Sequence, residues 1–352
     1  MTSPLQSRPA PQQTGGKLLL KMQAEMPRIT SDRTQQLALD NARRNRPYIE
    51  RGQSLKALRG VTLGQGDTAV VIAAGPSAKI FDPAAKLKAG NYRGAVVATE
   101  SAMSQCLFHG VIPDLVVSVD PHPIRIVRWF GDPELSETTI KDDDYFRRQD
   151  LDPSFARELD HNRRLMELIN KHGKKIRIAL CTSASAKVVE RVHQIGMQVF
   201  WWNPMLDEPD QPDSLTTQLC RENGLPAVNA GGNVGTACWM LAHALLGKKR
   251  VAVTGMDLGY YADTPYDKTQ YYHELVNLVG VDRLDEVFIR LFNPHTQTWF
   301  YADPAYYWYR QAFLELVQEA ECKTYNCSGG GIVFHESIPF IPLEHFIEIA
   351  VA

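Results

Sequence analysis

Apolar runs alternate with stretches of helical spacing along most of this chain. Val70-Val71-Ile72-Ala73-Ala74 is continuous apolar and β-branched text, the signature of a strand buried on both faces. The same signature returns over 94–99, 114–121, 177–181, 197–202 and 250–257, which predicts six strands. Between them lie helical patterns, as through Met103 and Leu107, through Val188, Val189 and Val192, and over the apolar run Cys238 to Leu246. Strands separated by helices imply a mostly parallel sheet covered by helices on both faces, an α/β, Rossmann-like fold.

The flanks read differently. Residues 1–16 are rich in Ser, Pro and Gln and are expected to be a disordered tail, without the apolar core of a secretory signal. Residues 17–66 are expected to be an N-terminal helical extension, whose basic cluster at Arg43, Arg44 and Arg46 reads as a solvated helix face. Residues 67–352 form the α/β domain, with helical insertions expected near 132–172 and 261–313. The formal net charge of −2 gives no global pull towards nucleic acid or a membrane surface, so any phosphate binding must be local. No apolar run reaches the length of a membrane span. Six cysteines without a C-x-x-C pair read as reduced thiols of a cytoplasmic protein, neither a disulfide framework nor a zinc site.

In such sheets ligands bind beyond the carboxyl ends of the strands. The first predicted strand ends at Gly75-Pro76-Ser77-Ala78-Lys79. Gly75 allows close approach to its backbone, and Pro76 suits the first position of a helix. The amides of Ser77, Ala78 and Lys79 would then point out unpaired at the positive end of a helix, a site for a nucleotide phosphate. The competing reading is an ordinary strand-to-helix turn. A second glycine-marked helix start is Gly231-Gly232-Asn233, with Asn233 either capping the helix or reaching a ligand. Glu100 and Ser101 follow the second strand and are expected to border the nucleotide.

Asp120 and Asp257 close the third and sixth strands. Each is a candidate catalytic carboxylate. If they meet, they could hold Mg²⁺ near phosphates; otherwise Asp120 would serve the ribose and Asp257 the acceptor. His122 and His273 are candidate general bases. The aromatic group Tyr301, Tyr306, Tyr307, Trp308 and Tyr309 reads either as the lining of an acceptor pocket or as core. No G-x-x-x-x-G-K-[ST] and no strand-following G-x-G-x-x-G occurs, which argues against a P-loop NTPase and a dinucleotide oxidoreductase.

The order of these motifs resembles a known group. Gly75-Pro76-Ser77, Thr99-Glu100-Ser101-Ala102, Val117-Ser118-Val119-Asp120-Pro121, Gly231-Gly232-Asn233-Val234, Thr254-Gly255-Met256-Asp257-Leu258 and Asn326-Cys327-Ser328-Gly329-Gly330-Gly331 are similar, in this sequence, to the MptE-like domain over about residues 40–345. That domain is shared by archaeal 6-hydroxymethylpterin diphosphokinases and the motility-associated-factor glycosyltransferases of flagellated bacteria. The resemblance implies a Rossmann-like domain similar to that of bacterial sialyltransferases, with a nucleotide phosphate at Gly75 to Ser77. It implies either transfer of a sugar, such as a nonulosonic acid, from a CMP-type donor to a hydroxyl, or Mg²⁺-dependent transfer of diphosphate from ATP to a pterin-like alcohol. This chain is longer than the compact pterin kinases and lacks the large flanking regions of the flagellar enzymes. Its 261–313 segment fits neither.

The combined reading is a nucleotide-dependent transferase, first of all a glycosyltransferase, with no covalent cofactor. Its partners are a small-molecule nucleotide donor and a sugar, peptide or pterin-like acceptor. Nucleic acid is not expected, and a homo-oligomer is compatible with the chain. A non-catalytic nucleotide- or sugar-binding protein is the third reading.

Overall fold

The computed structural model describes residues 18, 19, 22, 35–122, 126–142 and 156–351. The tail expected over 1–16 lies outside them, as does 143–155 within the first expected insertion. The strands are β1 (Gln53–Ser54), β2 (Thr68–Ile72), β3 (Ala95–Thr99), β4 (Leu115–Ser118), β5 (Arg177–Cys181) and β6 (Gln198–Pro204), then β7 (Ala227–Val228), β8 (Arg250–Thr254), β9 (Tyr260–Tyr261), β10 (Ile289–Asn293), β11 (Thr298–Ala302) and β12 (Lys323–Asn326).

Nine of them form one sheet in the order β1-β6-β5-β4-β3-β2-β8-β12, with β7 against β6, and every pairing is parallel. The six predicted strands are its body. The third ends at Ser118 rather than Pro121, because Asp120 leaves the ladder to accept the His122 amide in a turn (2.7 Å). Alternate residues feed two cores. Val71, Val97, Val117 and Val251 face Trp239 and Phe313, whereas Val70, Ile72, Val96 and Ala252 face the other way, against Ala102, Leu87 and Phe346. Each fully buried Val or Ile contributes roughly 1.5–3 kcal/mol of apolar burial. The helices Val234–Met240 and Pro304–Glu319 thus cover one face, and Glu100–Phe108, Pro83–Ala89 and Leu343–Val351 the other. This is the expected α/β, Rossmann-like arrangement.

From β6 to β2 the sheet runs backwards through the chain; β8 and β12 then lie on the far side of β2. The order reverses between β2 and β8, the switch point at which open α/β sheets open a crevice.

Two segments differ from expectation. The insertion at 261–313, expected to be helical, contributes most of a second, three-stranded antiparallel sheet in the order β10-β11-β9. Residues 289–293 alternate between buried and more exposed positions, and Thr298-Trp299-Phe300-Tyr301 is β-branched and aromatic text, so the local period is two rather than 3.6. The N-terminal extension is also part of the fold. β1 joins β6, and the helix over 35–44 and the turn after it carry the buried Asn41 and Asn45 to the sheet's carboxyl edge. Asn41 donates to the carbonyls of Ser183 (2.7 Å) and Pro121 (3.3 Å), and Asn45 to those of Ala184 (2.7 Å) and Thr182 (3.0 Å). The arginines of that stretch are exposed as expected, but Arg44 also reaches Ala184 O at 3.0 Å. Among the described residues no helix is long and apolar enough to cross a membrane. The six cysteines are free thiols.

Candidate functional site

At the switch point two glycines face each other. Gly75 N donates to Gly255 O at 2.8 Å, continuing the β2–β8 ladder. A Cβ on Gly75 would lie 2.4 Å from Gly255 O, and one on Gly255, where φ is +63°, would lie 2.2 Å from Ala73 O. Only glycine fits either place. Pro76 opens the helix Pro76–Phe81 with Gly75 as its N-cap, as the sequence suggests.

The amides of that helix start are not open. Asp257 reaches across from the end of β8, accepting from Ser77 N at 2.7 Å and from Ser77 Oγ. Ala78 N donates to Gly75 O at 2.9 Å. The expectation of unpaired amides at Ser77 and Ala78 is therefore corrected. The positive end of the helix attracts an anion, and the anion is the chain's own carboxylate. Burial raises the Asp257 pKa to about 6, against the lowering pull of the two Ser77 bonds. The Gly329-Gly330-Gly331 loop closes over this contact. Ile332 N donates to Asp257 O (2.8 Å), and a Cβ on Gly331 would meet Asp257 Cα at 2.4 Å. Asn326 and Ser328 brace the loop from below, Ser328 N donating to Asn326 Oδ1 (2.7 Å). Three motifs far apart in the chain are thus one interlocked knot.

The neighbouring strand ends are built differently. Thr99 caps the helix Glu100–Phe108 by accepting from Ala102 N (3.2 Å), and its hydroxyl bonds Ser101 Oγ (3.0 Å). Glu100 is buried, with Oε2 unpartnered among the described residues. Burial raises its pKa to about 8; the nearby charge of Asp120 adds to the shift and a bond to its own amide opposes it. Asp120 is exposed and also lies within electrostatic range of Tyr309. His122 sits in the Asp120 turn, half-buried; His273 is exposed on the helix Tyr272–Val279.

Across from these ends, Gly231 and Gly232 take left-handed φ values of 53° and 81°. Asn233 acts as the helix cap, accepting from Thr236 N at 2.9 Å and donating to Thr236 Oγ1 at 2.9 Å. The ring of Tyr309 covers Gly232, where a Cβ would lie 2.4 Å from Tyr309 Cε1. Most of the aromatic group is core. Tyr301, Tyr307 and Tyr309 are buried, and Tyr306 stacks on Tyr260 at 5.1 Å. Tyr260 donates to the buried Asp303, which caps the helix Pro304–Glu319. Trp308 and Tyr309 lie against the glycine turn at Gly232.

A Mg²⁺ ion shared by Asp120 and Asp257 is conditional on the two meeting, and they follow β4 and β8, which have β3 and β2 between them. Both oxygens of Asp257 are engaged by Ser77 beneath the glycine loop, while Asp120 is exposed and holds the His122 amide. Among the described residues no cluster of three or more His, Cys, Asp or Glu side chains could hold a metal. Ser118, at the end of β4, was not among the expected site residues. It is a lone buried hydroxyl in that apolar strand.

Residues 40–138 match the sequence model of the family described as 6-hydroxymethylpterin diphosphokinase MptE-like. The matched segment holds the Gly75 turn, Glu100, Ser101, Asp120 and His122. Among solved structures, the fold is similar to the MAf glycosyltransferase from Magnetospirillum magneticum AMB-1, with 13% identity and a TM-score of 0.47 over 82% of this chain and 37% of that one. This chain therefore spans little more than a third of that protein's length. No curated protein matches the sequence.

Proposed function

We propose that the protein is a nucleotide-dependent transferase that moves a sugar from a nucleotide-activated donor to a hydroxyl acceptor. The carrying observation is the commitment of Asp257 to Ser77 at the switch point. A triphosphate bound beside Glu100, Asp120 and Asp257 needs cations to offset its charge, and the two aspartates do not converge to hold one. A donor with a single phosphodiester, of the CMP type, asks far less of the site.

In this reading the acceptor oxygen forms a bond to the anomeric carbon. The bond from that carbon to the phosphate oxygen breaks, and its electron pair leaves with the nucleotide. The acceptor proton passes to a base, for which His122 in the Asp120 turn is the candidate. The glycine turn at Gly231 and Gly232 and the ring of Tyr309 border the nucleotide opposite Glu100 and Ser101. Diphosphoryl transfer from ATP is the second reading, supported by the family match over 40–138.

A thermal-shift panel of CMP, CDP, UDP, GDP, ADP and ATP, each with and without Mg²⁺, separates these readings, because a bound ligand raises the melting temperature by mass action. A metal-independent shift with CMP or CDP supports sugar transfer. A shift with ATP only in Mg²⁺ supports the diphosphokinase. No shift with any nucleotide removes both.

A further inference from the structure

The glycine loop that closes over Asp257 is itself held by the 261–313 segment, which fits neither branch of the resembled family. Asn293, buried at the end of β10, donates from Nδ2 to Gly331 O at 2.9 Å. Tyr261 of β9 brings its hydroxyl against Gly330, where a Cβ would lie 2.8 Å from it. Arg310, on the helix Pro304–Glu319, donates from Nε to Ile332 O at 2.6 Å and from Nη2 to Phe334 O at 3.0 Å. The small sheet and its following helix thus hold residues 330–334 at four points.

That sheet is filled from the far N-terminus. Ile289 pairs with Ala302 and Leu291 with Phe300, so these four side chains share one face. Leu19 is 1% exposed and buried in the same cluster, together with Tyr307 and Ile332. Leu18 and Met22, four residues apart in helical conformation, pack on the neighbouring cluster of Tyr260, Leu275 and Phe288. The route from this segment to the switch point is short. Leu19 shares its cluster with Ile332, Ile332 N donates to Asp257 O, and the Asp257 carboxylate holds Ser77.

We propose that the small sheet and the segment of Leu18, Leu19 and Met22 form a clasp that opens as one unit. Its docking decides whether Asp257 is locked on Ser77 or free to face the crevice. In the closed state described here both carboxylate oxygens are engaged by Ser77, and the loop covers the backbone of Asp257. Opening lifts Gly331 and Ile332 away and lets the side chain turn out. The unit is separable for a physical reason. The two sheets are distinct, and the small one has its own core clusters. Such a unit opens at a lower free energy than the main sheet. Asn293 and Arg310 are positioning residues in this scheme, acting on Asp257 through the loop.

Hydrogen exchange of the full chain in rising sub-denaturing urea, read by peptide mass, tests this without any ligand. The outcome is therefore independent of the nucleotide reading. Segments 289–302, 328–334 and 75–79 are expected to open together, in less urea than the body strands 68–72 and 95–99. Leu19→Ala removes filling beneath the small sheet and leaves the hydrogen bonds to the loop in place. It is expected to speed exchange in the three clasp segments at least about tenfold and to leave the two strands unchanged. A merely structural leucine would speed all five segments alike, and that result overturns the clasp, as does a variant that exchanges like the wild type. Opening of 328–334 while 75–79 stays closed overturns it too, because the loop then does not lock Asp257. So does exchange of 75–79 only in the urea that opens the body strands. The wild-type urea series stands without the variant, should Leu19→Ala fail to fold.

Discussion

The chain has two glycine-marked helix starts that look alike as text and differ as structures. At Gly75 the helix end is filled by Asp257, the strands on either side are joined through Gly75 and Gly255, and a triple-glycine loop lies on top. At Gly231 and Gly232 the helix is capped from within by Asn233, and the covering group is a tyrosine ring. The first start is held by backbone and by a buried charge, the second by side chains. A glycine–helix junction therefore does not by itself mark a phosphate site. What matters is whether the chain supplies its own anion.

The most severe way to break the first junction is Gly255→Ala. The new Cβ meets a carbonyl at 2.2 Å in a left-handed backbone, with no flexible side chain to yield. A loss of about 3 kcal/mol or more is expected, read as a fall in the urea midpoint or failure to accumulate as folded protein. Gly232→Ala meets a tyrosine ring that can shift, so although it shares the left-handed strain it should cost less. Equal losses at the two positions would erase the contrast between the junctions.

Buried carboxyls give the next effect, and it depends on pH. Glu100 rises in the folded chain from 4.5 to about 8, and Asp257 and Asp303 from 3.8 to about 6. The folded state thus keeps protons that the unfolded state gives up. Each contribution is complete below the unfolded pKa and is lost as pH rises through the folded one. Stability should fall between pH 4 and 8, by up to about 1.4 kcal/mol per pH unit for each group within its window. Above pH 6 Glu100 is the remaining source among these three, so Glu100→Gln should flatten the urea midpoint between pH 6 and 8. A slope unchanged by that substitution would mean that Glu100 is not the group titrating.

The N-terminal latch ranks below these. Asn41→Ala and Asn45→Ala each unmake buried bonds to carbonyls at the ends of β4 and β5. About 1–2 kcal/mol is expected for each, with the two effects non-additive because Asn45 N donates to Asn41 O and both hold one edge. If nucleotide binding weakens along with stability, the latch also holds the Asp120 loop, since Asn41 reaches Pro121.

These contrasts also show what could be read before the structure. The six body strands were legible because burial on both faces leaves unbroken apolar text, as at Val70 to Ala74. Asp257 was legible as a strand-end carboxylate, but not its partner: Ser77 lies 180 residues away, and no local pattern records which helix start a distant carboxylate will reach. The small sheet was hidden because the aromatic residues ending at Tyr301 and those of Tyr306 to Tyr309 were read as one group, although Ala302-Asp303-Pro304-Ala305 parts the strand from the helix. Ser118 was passed over because one hydroxyl in an apolar strand gives no periodic signal.

The smallest predicted effect sharpens the second junction. Asn233→Ala removes the acceptor for Thr236 N and the donor to Thr236 Oγ1. Cap losses of this kind cost about 1 kcal/mol. Asn233→Ser keeps an oxygen for the amide and should restore most of the stability, whereas Asn233→Asp should restore it and also place a negative charge at the helix start. If the Gly231 turn borders a nucleotide phosphate, that charge must repel the ligand. Asn233→Asp should then melt like the wild-type chain and bind nucleotide more weakly, with the loss shrinking as salt is added. If it binds as the wild type does, the phosphate lies elsewhere, and both glycine junctions are architecture.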